Sequence, residues 1–140
     1  MYDPDLTLLL VEDNDVDVMV VQRLLRRLSI ELPIVRASNG EEALALLRAP
    51  TAPPRPVPPF VIVLDLNMPR MTGLEFLAEI ADDARLADVP VFILSTSTDS
   101  RDRRMAKEYR IRGYFVKPIG EPELAEVLGS TGACEDDSAA

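Results

Sequence analysis

The 140-residue chain has no histidine and no tryptophan, and only one cysteine and six glycines. Without histidine it can be neither a Ser/His/Asp hydrolase nor its own phosphohistidine donor, and the usual zinc ligand sets are missing. Cys134 is alone and cannot close an internal disulfide. No apolar run approaches the ~20 residues that span a bilayer. The start, Met1-Tyr2-Asp3-Pro4-Asp5, lacks the basic region of a signal peptide. These absences predict a cytoplasmic protein with no membrane partner. Positive charge is also scarce: 15 Lys and Arg stand against 24 Asp and Glu, for a net charge of −9. With no basic stripe to offset it, that charge repels phosphate backbones and argues against nucleic-acid binding.

What is present fits one globular domain with a single core, at 47% hydrophobic and 28% charged residues. The stretch Phe60-Val61-Ile62-Val63-Leu64 has no polar alternation, so it reads as a strand buried on both faces. It ends at Asp65. Asn67 and Pro69 then turn the chain, and Thr72-Gly73-Leu74-Glu75 has the spacing of a capping box, predicting a helix from Gly73 to Ile80. Asp65 is thereby placed at the carboxyl end of a central strand, the edge where open parallel α/β sheets bind ligands.

The other segments repeat the pattern. Thr7 to Val11 is a buried strand ending in Glu12-Asp13, followed by a helix capped by Asn14 or Asp15. In that helix Val16, Met19, Val20, Leu24 and Leu28 recur at helical spacing, opposite Arg23, Arg26 and Arg27. Ile34 to Ala37 is a short strand, and Ser38 to Glu41 reads as a second capping box opening a helix through Arg48. Residues 49–59 carry six of the twelve prolines and predict an extended connector. Val91 to Leu94 delivers the hydroxyls Ser95 and Thr96. A charged, weakly apolar helix from about Asp99 to Tyr109 follows, and Gly113 to Val116 is a strand ending in Lys117-Pro118. The last helix is expected from Glu121 to Leu128, so the domain would span residues 1–128, with a flexible acidic tail at 129–140. Five strands alternating with five helices predict a doubly wound, five-stranded parallel α/β domain, the (βα)5 flavodoxin-like fold.

Four strand ends would bring Glu12-Asp13, Asp65, Ser95 and Lys117 to one edge. Singly, each has an ordinary reading: a helix cap, a loop carboxylate, a turn hydroxyl, a solvated lysine. Together they form an acidic cluster that repels itself unless a cation lies in it, and hard oxygen donors without His or Cys select Mg²⁺ or Mn²⁺. A phosphoryl group on Asp65 would then meet Lys117 and Ser95, an arrangement for phosphoryl transfer to a carboxylate nucleophile.

Val11-Glu12-Asp13, Leu64-Asp65-Leu66-Asn67-Met68-Pro69-x-Met71-x-Gly73, Val89 to Ser95 and Gly113-Tyr114-Phe115-Val116-Lys117-Pro118 resemble the receiver domain of bacterial two-component response regulators over residues 6–128. The resemblance implies phosphorylation of Asp65 by a sensor histidine kinase. It implies Mg²⁺ held by Asp13, Asp65 and the Asn67 backbone carbonyl, with Glu12 acting through water. It further implies phosphoryl binding by Ser95, Thr96 and Lys117, a switch formed by Ser95 and Tyr114, and a cis peptide before Pro118. The Asp65-to-Pro69 wording and the run Leu94-Ser95-Thr96-Ser97 are similar to receivers that partner bacterial phytochrome kinases (bacteriophytochromes). A downstream phosphotransfer protein, and a homodimer through the face of the fourth helix, fifth strand and fifth helix, are further partners the resemblance implies. The chain departs from the family in its long proline-rich connector, in Thr72 where Asp is frequent, and in a last helix cut short at Gly129.

Three other functions bear on the same fold. An FMN electron carrier needs a Ser/Thr/Gly-rich phosphate loop after the first strand, where this chain has Glu12-Asp13-Asn14-Asp15. A phosphorylation-independent pseudo-receiver would not need the full set of site residues. A Mg²⁺-dependent phosphatase acting through Asp65 fits the order of motifs less well.

Overall fold

The computed structural model describes residues 5–48, 60–68, 70–96 and 100–129. The proline-rich connector, residues 97–99, Pro69 and the tail beyond Gly129 lie outside these residues. In chain order the elements are β1 (Thr7–Val11), α1 (Asp15–Arg27), β2 (Ile34–Ala37), α2 (Gly40–Arg48), β3 (Phe60–Leu64), α3 (Gly73–Ala81), β4 (Val91–Ser95), α4 (Ser100–Lys107) and β5 (Gly113–Val116). A last helix, α5, covers 121–129. The five strands form one parallel sheet in the order β2-β1-β3-β4-β5. The doubly wound fold expected from the sequence is the fold observed.

Alternate residues of the central strands supply two cores. Leu9, Val11, Ile62, Leu64 and Ile93 face α2 and α3, joined by Phe76, Leu77 and Ala106. Leu8, Leu10, Val61, Val63, Phe92 and Leu94 face α1 and α5. Each fully buried aliphatic side chain contributes about 1.5–3 kcal/mol, so the unbroken apolar runs of β1 and β3 are what place them in the middle of the sheet. The edge strands β2 and β5 are only half-buried.

The structure corrects three local readings. On α1 the buried residues are Val18, Val21, Leu24 and Leu25, while Val16 and Met19 are exposed at 65% and 47%. Two apolar stripes overlap on this helix, and the one one step further along faces the sheet. At α2 the cap is Asn39: its Oδ1 accepts from the Glu42 N–H at 2.8 Å, and Glu42 in turn accepts from the Ser38 N–H at 3.2 Å. That start aligns Ala43, Leu44 and Leu47 with the core. Gly129 is still helical, so α5 runs one residue past its expected end. The Thr72–Glu75 capping box forms as read, with both reciprocal bonds present.

Candidate functional site at the carboxyl edge of the sheet

With the strand order β2-β1-β3-β4-β5, the chain winds away in opposite directions from β1 and β3, and a crevice opens beyond their carboxyl ends. Glu12, Asp13 and Asp65 meet there, each offering an oxygen within 4.8 Å of the others. Glu12 and Asp65 are buried and Asp13 is exposed. Among the described residues, the buried polar side chains are Glu12, Asp65 and Ser95, and all three lie at this edge. Asp65 is fixed by its own N–H, which donates to the Val11 carbonyl at 3.0 Å, and its Oδ1 accepts from the Asn67 N–H at 3.1 Å.

Lys117 enters from the end of β5. It is not the solvated loop lysine of the ordinary reading: its side chain is 9% exposed. Its Nζ lies 2.7 Å from Glu12 Oε1, 2.6 Å from Asp17 Oδ2 and 3.4 Å from Asp65 Oδ2. Burial alone would lower the lysine pKa, but hydrogen bonds to Asp17 and Glu12 and the Asp65 charge outweigh it and raise the value above that of a free lysine. The Lys117-Pro118 peptide is cis, as expected. Ser95, fully buried, ends β4, and its carbonyl accepts from the Lys117 N–H at 2.9 Å. Asn67 Nδ2 approaches Ser95 Oγ at 3.5 Å, while Thr96 is exposed beside it. Tyr114 is half-buried on β5, with the Arg103 guanidinium of α4 4.8 Å above its ring.

Two further participants, Asp17 and Arg36, leave little signal in the sequence. Asp17 sits in the first turn of α1 and reaches Lys117 across 100 positions of sequence. Arg36 of β2 braces the acidic loop: Nε donates to the Glu12 carbonyl and Nη2 to the Asp13 carbonyl, both at 3.2 Å, while Nη1 pairs with Asp15. A lone charge in a four-residue strand was the available clue to Arg36. Asp17 lies one helical turn beyond Asp13, a spacing that acidic helix starts share for other reasons.

The donor set fits a hard divalent cation, with three carboxylates and no soft ligand. Burial is the main influence on Glu12, pushing its pKa from 4.5 up to about 7 against the Lys117 hydrogen bond, with the Asp65 charge adding to the rise. Between those values the folded, metal-free domain binds more protons than the unfolded chain, so its stability falls as pH rises through that window. Melts in EDTA between about pH 5 and 8 are expected to show a loss on the order of 2 kcal/mol. Glu12→Gln should flatten the profile, and Mg²⁺ should offset the loss by mass action. A wild-type profile that is already flat would contradict this account of Glu12.

Comparison with known proteins points the same way. Rcp1 of Synechocystis is 33% identical over 125 residues, covering 89% of this chain and 85% of that protein. Its Mn²⁺-bound form superposes with a TM-score of 0.70 at 31% identity, covering 91% of each chain. The phosphorylated cyanobacterial phytochrome response regulator RcpA superposes with a TM-score of 0.72 at 32% identity, covering 93% of this chain and 91% of that one. The probable methanogenesis regulatory protein FilR2 of Methanothrix harundinacea is 36% identical over 121 residues, covering 86% of this chain and 77% of that protein. Among the described residues no helix is long and apolar enough to cross a membrane. The profile of the response regulator receiver domain matches residues 8–129, from the second residue of β1 to the last of α5. With an acidic cluster typical of the receiver Mg²⁺ site at the switch point of the sheet, the chain belongs to this family of two-component signalling proteins, not to the classical enzymes.

Proposed function

We propose that Asp65 is a phosphoacceptor for a partner sensor histidine kinase, and that the receiver unit spans residues 1–128. The observation that carries this reading is the position of the buried Asp65 carboxylate, clustered with Glu12 and Asp13 and 3.4 Å from the Lys117 ammonium. In the transfer, an Asp65 carboxylate oxygen forms a bond to phosphorus as the P–N bond of the donor phosphohistidine breaks; the imidazole nitrogen keeps the bonding pair and takes up a proton from water. Water attack on phosphorus later returns the free carboxylate and inorganic phosphate. Mg²⁺ would be held by Asp13, Asp65 and the Asn67 carbonyl, with Glu12 through water, and would neutralise charge on the phosphoryl oxygens. Lys117 supplies a fixed positive charge to the same oxygens, and Ser95 and Thr96 supply hydrogen bonds.

About two added negative charges at Asp65 draw Ser95 inward and free space into which Tyr114 turns, reshaping α4 and β5. Exposed Val16 and Met19 on α1, beside the acidic loop, are the apolar surface assigned to the kinase. Met105 and Val116, exposed on α4 and β5, are assigned to a homodimer or a downstream phosphotransfer protein. Similarity to the phytochrome response regulator RcpA, and to the bacteriophytochrome response regulator AtBRR, supports a bacteriophytochrome as the kinase, which would place the chain in the cytoplasm.

Intact-protein mass after incubation with acetyl phosphate and Mg²⁺ tests the reading. The wild type is expected to gain one phosphoryl group, and neither Asp65→Asn nor EDTA-treated protein should gain any. No adduct with either Mg²⁺ or Mn²⁺ would overturn the proposal in favour of a phosphorylation-independent interaction module.

A further inference from the structure

We infer that Asp17 is a positioning residue for Lys117. In the resting protein it holds the ammonium off Asp65, and it gives the lysine up when a phosphoryl group arrives. The inference rests on the phosphoacceptor reading of Asp65 and adds a residue to it.

The three carboxylates around Lys117 are not equivalent. Asp17 and Glu12 lie 2.6 and 2.7 Å from Nζ, as hydrogen-bonded ion pairs do, whereas Asp65 is 3.4 Å away. An ammonium has three donors: two make short bonds to Asp17 and Glu12, and the third makes only a long 3.4 Å bond to Asp65. Lys117 therefore rests on the α1 side of the crevice, and Asp65 keeps oxygen lone pairs for a cation. Were the lysine to settle fully on Asp65, it would compete with a divalent ion for that carboxylate.

The two short partners also differ in how readily they release the lysine. The Glu12 side chain is 3% exposed and, while ionised, cannot lose its counter-charge without a large desolvation cost. The Asp17 side chain is 30% exposed, so water can replace the ammonium. Its place in the first turn of α1 adds the favourable field of the helix N-terminus to its charged form. When phosphoryl oxygens carrying about two negative charges appear on Asp65, the lysine leaves its most solvated partner. Asp17 is thus a releasable anchor and Glu12 a fixed one.

The test uses the full chain and compares the wild type with Asp17→Asn and Asp17→Ser. Mg²⁺ affinity is measured calorimetrically, and beryllofluoride, an analogue of the phosphoryl group, is titrated at saturating Mg²⁺. Without Asp17 the lysine moves toward Asp65, so Mg²⁺ affinity is expected to fall about fivefold, the equivalent of one partly exposed ion pair. Beryllofluoride affinity should rise by a similar factor, because the analogue no longer competes with Asp17 for Lys117. Loosened packing would weaken both ligands together, and that result overturns the inference, as does a change below twofold in both. In a Lys117→Met background, Asp17→Asn should have no further effect on Mg²⁺ affinity, since it acts through the lysine. Failure of the wild type to bind beryllofluoride would instead overturn the phosphoacceptor reading itself.

Discussion

Lys117→Met is expected to slow phosphoryl acquisition from acetyl phosphate about a hundredfold at saturating Mg²⁺, the usual effect of removing one preorganised charge or donor from a transition state. The transferring group spreads negative charge over its outer oxygens, and a bound metal can contact only some of them. Lys117 is the cation that β5 brings to the crevice, held in place by burial and by its ion pairs with Glu12, Asp17 and Asp65. Methionine keeps most of the side-chain volume and removes the charge. The test therefore concerns electrostatics more than packing. Lys117→Arg should rescue the rate poorly, because a planar guanidinium cannot occupy the compact three-carboxylate pocket as a point charge does. Initial rates from intact mass, taken across acetyl phosphate concentrations, decide the matter. A Lys117→Met rate within threefold of the wild type would remove the lysine from the transfer step.

How much of this could be read from sequence follows the range of the interactions involved. The strands β1, β3 and β4 are legible because burial on both faces leaves a short, unbroken apolar run bounded by polar or turn residues. The residues at their ends follow directly: Glu12, Asp13 and Asp65 are located once the strands are, and the structure brings their oxygens within 4.8 Å of one another. The buried face of α1 was misread because Val16, Met19 and Val20 extend the apolar pattern around the helix, and only docking against Leu8 and Leu10 of β1 selects Val18 and Val21. The α2 cap slipped by one residue because Ser38 and Asn39 are both good caps, and local chemistry does not rank them. Asp17 and Arg36 are hard to find in the sequence for a different reason. Their partners are Lys117 and the Glu12–Asp13 backbone, and contacts this long in range leave no periodic trace.

The remaining large effect concerns a residue with no side chain. Gly73→Ala is expected to destabilise the domain by about 2–3 kcal/mol, in the upper range for overpacking a filled site, and to impair metal binding in the molecules that still fold. A Cβ on Gly73 would lie 2.6 Å from the Leu66 Cα and 2.7 Å from the Asp65 carbonyl oxygen, both backbone atoms that no rotamer change can move. The Gly73 N–H also donates to the Leu66 carbonyl at 3.0 Å, tying the start of α3 to the end of β3. Relief of the clash must shift either α3, whose Phe76 and Leu77 are fully buried, or the Asp65–Leu66 backbone that aims the Asp65 carboxylate. Shifting the helix loosens the core, and shifting the backbone spoils the meeting of Asp65 with Glu12 and Asp13. Thermal melts with and without Mg²⁺ separate the two consequences: the melting temperature should drop by roughly 10 °C, and the Mg²⁺-induced rise should shrink. Gly129→Ala is the control, because a Cβ there meets nothing within 4 Å and its effect should be close to neutral. If Gly73→Ala melts with the control and keeps the full Mg²⁺ response, the close approach of α3 to Asp65 does not constrain the site.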